Sequence, residues 1–455
     1  MRYFPAIKGL MTAPPPPSVR ARRGPPLSGT TLVPGDKSIS HRAIMLGGIA
    51  TGPTSIKGLL ESEDIAATMA ALKAVGASVR HDPQTQNWTV EGPGLENLQE
   101  SDSVLNMGNS GTSARLLIGL LGARPMTSFF AGDASLQKRP MGRVIEPLTQ
   151  MGLTFMARHQ GRLPLAVCGK GPLRPINYRL PVASAQVKSA ILLAALSIEG
   201  TSTVIEPIPT RDPTERMLRA FGADIHVEKT AAGTHAIHLQ GRPKLTGQKI
   251  NVPGDISAAA FPLVAALLSE GSAITLQNVG INERRAGLIT SLLEMGGNIA
   301  LENKRTHGGE EVADLHVKGS KLHGITIEKE RAPSMIDEYP ILAMAAACAK
   351  GTSRFKGLEE LRVKESDRLT LVAAGLRQAG VDVAIEGDDL IIHGNGMPPK
   401  GGALINAALD HRIAMSFLIL GMLTDQPITI DDASPIATSF PNFIPLMTKL
   451  GGNIA

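Results

Sequence analysis

Aromatic residues make up only 3% of the 455-residue chain, with one Trp, three Tyr and ten Phe. Its cores must therefore be aliphatic and alanine-rich. With so few rings to stack bases, and with Lys and Arg spread along the chain rather than run together, a nucleic-acid partner is not expected. Cysteine is scarcer still. Cys168 and Cys348 stand in apolar or alternating stretches without metal spacing, which reads as buried, reduced thiols of a cytoplasmic protein. The eleven His form neither H-x-x-x-H nor H-E-x-x-H, so no metal site is expected. No apolar run reaches membrane-spanning length without a glycine or a charge, and the G-x-x-x-x-G-K-[ST] phosphate loop of ATP-binding proteins is missing.

What remains is a mildly basic chain, net charge +5, rich in glycine (48 residues) and too long for one core. Two domains of roughly 200 residues each are expected. Basic side chains gathered into one cleft would suit a small polyanionic substrate. Residues 1–27, with Pro14 to Pro17, Arg20, Arg22, Arg23, Pro25 and Pro26, read as a disordered basic leader. They lack the apolar stretch of a signal peptide, and Met11 is a second candidate start.

A short pattern recurs six times: a helix end, a glycine, then the start of an alternating strand. Its glycines are Gly76, Gly152, Gly222, Gly296, Gly380 and Gly451, about 70 to 84 residues apart. That spacing fits a βαβαββ unit, with the glycine as the left-handed residue that ends a helix. Six units make an α/β protein of two pseudo-three-fold domains. Val33-Pro34-Gly35-Asp36 returns as Val252-Pro253-Gly254-Asp255, so the first domain is placed at residues 36–251 and the second at 252–455. The strand in residues 28–35 is expected to pair into the second domain.

The conspicuous polar residues fall in two phases of this repeat. Ser38, Gly111, Ser184, Asp255, Asp337 and His411 lie about 38 to 43 residues before a marker glycine. Asp64, Arg139, Arg211, Arg284, Arg368 and Thr438 lie about 11 to 13 before one. Both phases fall at helix starts, where free N–H groups and the helix dipole favour anions. Asp64, Asp255 and Arg284 read as ordinary caps or first-turn charges. For the others, cations at N-terminal ends call for an anionic ligand. Ser38 is the expected cap of the first helix, with Lys37, His41 and Arg42 beside it. Lys188 should point along its helix or line a mouth, and Lys364 and Arg368 should share a helix face next to Glu365. Carboxylates such as Asp337 and Glu365 among so many cations suggest acid/base work on an anionic substrate.

The motifs P-G-D-K-S-I-S-H-R, G-N-S-G-T, K-R-P-M-G-R, S-A-Q-V-K-S-A, V-K-E-S-D-R-L and D-H-R-I-A-M, in order from about Leu27 to the C-terminus, resemble the 5-enolpyruvylshikimate-3-phosphate synthase family. The resemblance implies an inside-out α/β barrel architecture with the active site in the interdomain cleft. It also implies a cytoplasmic monomer with no cofactor, metal or membrane partner. The implied reaction transfers the enolpyruvyl group of phosphoenolpyruvate to the 5-hydroxyl of shikimate 3-phosphate and releases phosphate. Carried over motif by motif, Lys37, Arg139 and Gln186 would hold the phosphate of phosphoenolpyruvate, with Asn109, Gly111 and Thr112 bordering it and Arg368 and Arg412 on its carboxylate. Lys37, Ser38, Arg42, Ser184, Ala185, Gln186, Arg211, Asp337 and Lys364 would hold shikimate 3-phosphate. Asp337 would be the base, Glu365 the proton donor and Lys37 their partner.

Several positions depart from the commonest family pattern. Ala185 stands for a second serine, and Arg211 and Thr438 for a serine and a lysine, which resembles the glyphosate-tolerant second class. Yet Pro213 replaces the histidine of that class's R-x-H-x-E motif, and Gly111 stands where a tolerant enzyme carries alanine. The missing methyl is expected to leave room for glyphosate as an inhibitor. UDP-N-acetylglucosamine enolpyruvyl transferase, of the same fold, would carry a loop cysteine between Gly122 and Arg139, and none is there. A non-catalytic anion-binding protein on the same scaffold would have no use for Asp337 and Glu365 beside anions.

Overall fold

A computed structural model describes residues 18–230, 233–307 and 309–455. Most of the proposed leader lies outside the described residues. The six marker glycines each stand just beyond a helix's C-cap residue, with φ between +90° and +105°. At each, the glycine N–H bonds back to the carbonyl three residues earlier, and the next N–H reaches the carbonyl five residues before it. Gly76 to Lys73 and Ala77 to Leu72 are one instance. This double closure requires a positive φ that a Cβ resists, so the glycine is dictated by geometry.

Three of the units run straight along the chain. In the second, strand Leu105–Asn106, helix Gly111–Gly122, strand Thr127–Ala131 and helix Gly142–Gln150 lead to the hairpin Thr154–Arg158 and Arg162–Cys168. The first two strands are parallel and the hairpin returns antiparallel. The third unit, from Asn177–Arg179 to His235–Gln240, repeats this order, and so does the fifth, from Thr326–Ile327 to Asp389–Asn395.

The first and fourth units exchange their opening strands. Ser28–Leu32 precedes the first unit yet pairs parallel with Ala273–Gly280 of the fourth. Lys249–Asn251 precedes the fourth yet pairs parallel with Pro53–Lys57 of the first. The chain therefore crosses between two bodies twice, and both crossings are the V-P-G-D turns. There the two copies grip each other: the Asp36 N–H donates to the Pro253 carbonyl and the Asp255 N–H to the Pro34 carbonyl, both at 2.8 Å. The cores change hands at the same points. Ile39 through Val252 pack in one cluster, whereas Val33 and Ile256 onward belong to the other.

The sixth unit corrects the leader. Its sheet has only Leu404–Ile405 and Ile428–Ile430 of its own, and Val19–Ala21 adds the third strand antiparallel to the latter. Arg20 and Arg22 also bond through their backbones to Ala455 and Asn453, and Ala21 and Leu27 are fully buried. Residues 19–27 are therefore structural: a proline- and arginine-rich segment is ordered by an open sheet edge that needs a partner.

In each domain three nearly all-buried helices lie inside, Lys37–Gly47, Gly111–Gly122 and Ala185–Ala195 in one, Ile256–Leu268, Tyr339–Cys348 and His411–Gly421 in the other. Among the described residues the strands form six separate sheets rather than a closed barrel. Gly119 lets two of the inner helices touch, for a Cβ there would meet the Ala190 carbonyl oxygen. Cys348 is buried, whereas Cys168 is only partly so; both are free thiols.

Candidate active site

The caps of the two crossing helices are Asp36 and Asp255, not Ser38. Asp36 accepts the Ile39 N–H and Asp255 the Ser257 N–H, each at 2.8 Å. Ser38 already lies within the helix, where its own hydroxyl cannot reach the free amides that the preceding carboxylate reaches. Arg285 of the second domain bridges the two caps. It pairs with Asp36, lies 3.2 Å from Asp255 and donates to the Ser257 hydroxyl at 2.9 Å. Burial, with Asp255 adding to it, lifts the Asp36 carboxyl above its ordinary value despite Arg285.

Beyond this crossing, two carboxylates face a crowd of cations drawn from both domains. Asp337, just before helix Tyr339–Cys348, lies 2.5 Å from Arg211, 3.2 Å from Arg368 and 3.5 Å from Lys364. Glu365 lies 2.6 Å from Arg368 and 3.8 Å from Arg139. Arg412 donates to the Asp337 carbonyl at 3.0 Å. Arg368 is fully buried and is held from behind by Asp410 at 2.8 Å. Burial alone would raise both carboxyls. For Asp337 the fields of Lys364, Arg211, Arg412 and Arg368 outweigh it and hold the group well below its ordinary range. Arg368 and Arg139 do the same for Glu365. Both are therefore ionised in the free protein.

The expected helix face at Lys364 and Arg368 is corrected. The helix begins at Arg368, capped by Asp367, and Lys364 to Ser366 run as an irregular segment before it. Neighbouring residues on a helix diverge by about 100°; off the helix, Lys364 can reach Asp337 while Glu365 reaches Arg368.

On the first-domain side, Lys37 pairs with Asp64, so Asp64 is a partner of the lysine rather than a mere first-turn charge. Arg139 donates to Asn109 at 2.5 Å and to Ser135 at 3.2 Å. Gln186 accepts from Arg115 at 2.7 Å and donates to Thr112 at 3.1 Å. Arg115, to which sequence reasoning gave no role, thus orients the glutamine; burial brings its guanidinium down to about 10. A Cβ on Gly111 would point between the Arg115 and Arg139 guanidinium groups, 3.1 Å from each. Ser184 caps its helix by accepting the Val187 N–H, and Ala185 is that helix's first residue.

The remaining expected residues are held by partners of their own. Arg42 is buried and joins three helices, donating to Thr214 at 2.7 Å, to Ser189 at 2.8 Å and to the Ser38 carbonyl at 2.9 Å; two of its five N–H groups remain. His41 is enclosed against Thr68, and burial, with Lys37 beside it, keeps it neutral. Lys188 neither follows its helix nor lines a mouth; it turns inward onto Glu206 and Glu215. Arg284 reaches the first domain, 3.4 Å from the Thr210 carbonyl. His411 sits behind the site, lowered to about 3 by burial and Lys37, with Thr438 3.4 Å from its ring nitrogen. Pro213 opens helix Pro213–Ala220, where a missing N–H is harmless.

Cations gathered in this number can attract multiply charged anions, and Asp337 and Glu365 are the titratable carboxylates among them. The family model for EPSP synthase (3-phosphoshikimate 1-carboxyvinyltransferase) matches residues 21–447. The 3-phosphoshikimate 1-carboxyvinyltransferase of Rhodospirillum rubrum is 54% identical over 97% of this chain and 98% of its own. An EPSP synthase structure from Acinetobacter baumannii is similar at a TM-score of 0.84 and 46% identity, covering 96% of this chain and 99% of that one. The enolpyruvyl transferase NikO from Streptomyces tendae shares the fold at a TM-score of 0.78 and 18% identity, over 97% and 99% of the two chains.

Proposed function

The chain belongs to the EPSP synthase family, and from that membership we propose how its cleft divides the labour of enolpyruvyl transfer. It is a transferase of the shikimate route to aromatic amino acids, joining phosphoenolpyruvate to 3-phosphoshikimate. One observation carries the assignment: Asp337 and Glu365 share Arg368 and are ringed by Arg139 and Arg211 from one domain and Lys364 and Arg412 from the other.

Lys37, Arg139 and Gln186 take the phosphate of phosphoenolpyruvate beside Asn109, Gly111 and Thr112, while Arg368 and Arg412 take its carboxylate. Lys37, Ser38, Arg42, Ser184, Ala185, Gln186, Arg211, Asp337 and Lys364 surround shikimate 3-phosphate. Asp337 accepts the proton of the 5-hydroxyl as its oxygen bonds to C2 of phosphoenolpyruvate. Glu365 gives a proton to the vinyl methylene, making a methyl group. The tetrahedral adduct then loses phosphate by C–O cleavage, the proton held by Asp337 passes to the departing phosphate, and Glu365 takes a methyl proton back to restore the double bond. A donor must first hold a proton, and Glu365 is ionised in the free protein because of Arg368 and Arg139. Anions seated on those arginines would cancel much of that field, so substrate binding itself protonates the acid.

The test is phosphate release from phosphoenolpyruvate with shikimate 3-phosphate, against UDP-N-acetylglucosamine as acceptor. Turnover is expected with the first alone; the reverse outcome would identify the other transferase, and none with either would favour a plain anion-binding protein. Glu365→Gln is expected to bind both substrates and lose at least about a hundredfold in kcat. The same reading takes glyphosate as an inhibitor in the phosphoenolpyruvate subsite. Because a methyl at Gly111 would project between Arg115 and Arg139, Gly111→Ala should raise the inhibition constant; an unchanged value refutes the steric account. It also takes the chain as a cytoplasmic monomer without nucleic-acid or membrane partners. Among the described residues no helix is long and apolar enough to cross a membrane.

A further inference from the structure

One charged cluster in the third unit has no part in that chemistry. Lys188 is fully buried, and its ammonium lies 3.0 Å from Glu206 and 2.7 Å from Glu215, which are 0% and 2% exposed. Burying three charges is a poor way to stabilise a fold, since well-packed apolar side chains would serve as well or better. What such a cluster does supply is geometry: the ammonium is fixed between the two carboxylates, and breaking the pairing is costly.

The geometry it fixes is specific. Glu206 is the last residue of strand Thr201–Glu206, and Glu215 lies in the first turn of helix Pro213–Ala220. Between them runs the connection 207–212, so one ammonium ties down both ends of it. The Thr210 hydroxyl, within the connection, also donates to Glu206. Arg42 secures the same helix start by bonding Thr214 and Ser189 together. Lys188 stands on helix Ala185–Ala195, which also carries Gln186 and is capped by Ser184. From this frame only Arg211 reaches Asp337, at 2.5 Å, while the next residue, Asp212, accepts from Asn282 of the second domain at 2.8 Å.

We propose that Lys188, Glu206 and Glu215 form a positioning triad that sets where the Arg211 guanidinium stands in the cleft, relative to Ser184 and Gln186, and so sets affinity for the phosphorylated acceptor. The proposal rests on the reading that Arg211 binds shikimate 3-phosphate. The triad touches neither substrate; it acts through Arg211.

Steady-state kinetics of Lys188→Met, Arg211→Ala and the double variant test it. Lys188→Met is expected to raise the KM for shikimate 3-phosphate about tenfold or more, because small misplacements of a binding group are expensive. The KM for phosphoenolpyruvate should move less than about twofold by the same reasoning. Added to Arg211→Ala, Lys188→Met should have almost no further effect on the acceptor KM, since the two act in series. An unchanged acceptor KM, an equal rise in both KM values, or a full additional effect in the Arg211→Ala background overturns the triad's role. If Arg211→Ala alone leaves the acceptor KM unchanged, the reading of Arg211 fails instead. Should Lys188→Met not fold, Glu215→Gln keeps the Lys188–Glu206 pair and frees only the helix end. A smaller rise in the same KM is then expected, and no rise overturns the proposal.

Discussion

Replacing Arg285 by methionine would remove the one cation that holds Asp36 and Asp255 together at the interdomain crossing. All three side chains are at most 10% exposed, so the two carboxylates would be left facing each other without water or a counter-charge. Breaking a buried pair in this way costs about 3–5 kcal/mol. For a domain of roughly 200 residues the entropy of unfolding is about 0.4 kcal/mol per degree, so the midpoint should fall by about 10 °C. Two further arms make the cause identifiable. Asp36→Asn in the Arg285→Met background keeps an oxygen to accept the Ile39 N–H but removes one charge, and should recover at least half of the loss. The deficit should also shrink as pH falls, because burial already lifts the Asp36 carboxyl and losing Arg285 lifts it further; once protonated, it needs no cation. Thermal melts of wild type and the two variants from pH 4 to 8 decide the matter. A loss under about 1 kcal/mol, or one that is independent of pH and unrescued by Asp36→Asn, would refute the assignment of Arg285 as a clamp rather than a bystander.

Two of the marker glycines separate backbone strain from collision. Gly152 and Gly76 have nearly equal φ, +103° and +105°, but a Cβ would lie 2.5 Å from the Pro172 carbonyl oxygen at Gly152 and no nearer than 3.7 Å to anything at Gly76. Gly76→Ala should cost about 1–2 kcal/mol from conformation alone, and Gly152→Ala clearly more, as read by denaturant midpoints. Equal losses would mean that the contact relaxes freely. Glu310 lies 3.6 Å from Arg216 across the domain boundary, and burial, outweighing Arg216, pushes it up to about 7 from 4.5. Between those values the native state keeps a proton that the unfolded chain has lost, so this group makes stability fall as pH rises from about 4.5 to 7, by up to roughly 3 kcal/mol. Glu310→Gln should flatten that part of the stability–pH curve; a curve parallel to wild type's would refute it.

The repeat was legible because its marker is a backbone requirement. A helix end that needs a positive φ selects glycine wherever it recurs, and six such ends stand out in the sequence. The strand Val19–Ala21 was not legible, since three residues in a proline- and arginine-rich segment carry no period; only the open edge at Ile428–Ile430 explains them. The duplicated V-P-G-D pointed to a shared turn, but nothing local reveals that one distant arginine bridges both copies. The same holds for Arg115, on an otherwise apolar helix, and for Asp64, which reads as an ordinary first-turn acid. Each acquires meaning from a partner in another element, Gln186 and Lys37 respectively. Secondary structure misled at Lys364 to Ser366, where three irregular residues carry side chains that a helix would have splayed apart.

Difference between the two V-P-G-D copies gains a physical reason from this arrangement. Both copies must turn the chain between domains and cap a helix, so the turn and the aspartate are held in common. After the aspartate their surroundings diverge. Ile256 to Leu267 are wholly buried in the second core, whereas Lys37 and Ser38 remain partly open, and Lys37 meets Asp64. A cation there would be unfavourable for the helix alone, because its dipole places positive charge at the same end. Asp64 offsets that cost in the free protein, and an anionic substrate could take over the role, as could others where Asp337 and Glu365 now occupy Arg211, Arg139 and Arg368. On the proposed reading, Asp337 and Glu365 are internal counterions that hold the cations in place until substrate anions replace them. That exchange is what would return to Asp337 and Glu365 enough proton affinity to act as base and acid. On that proposal, binding and proton transfer draw on one set of charges, which would account for so many arginines around so few carboxylates.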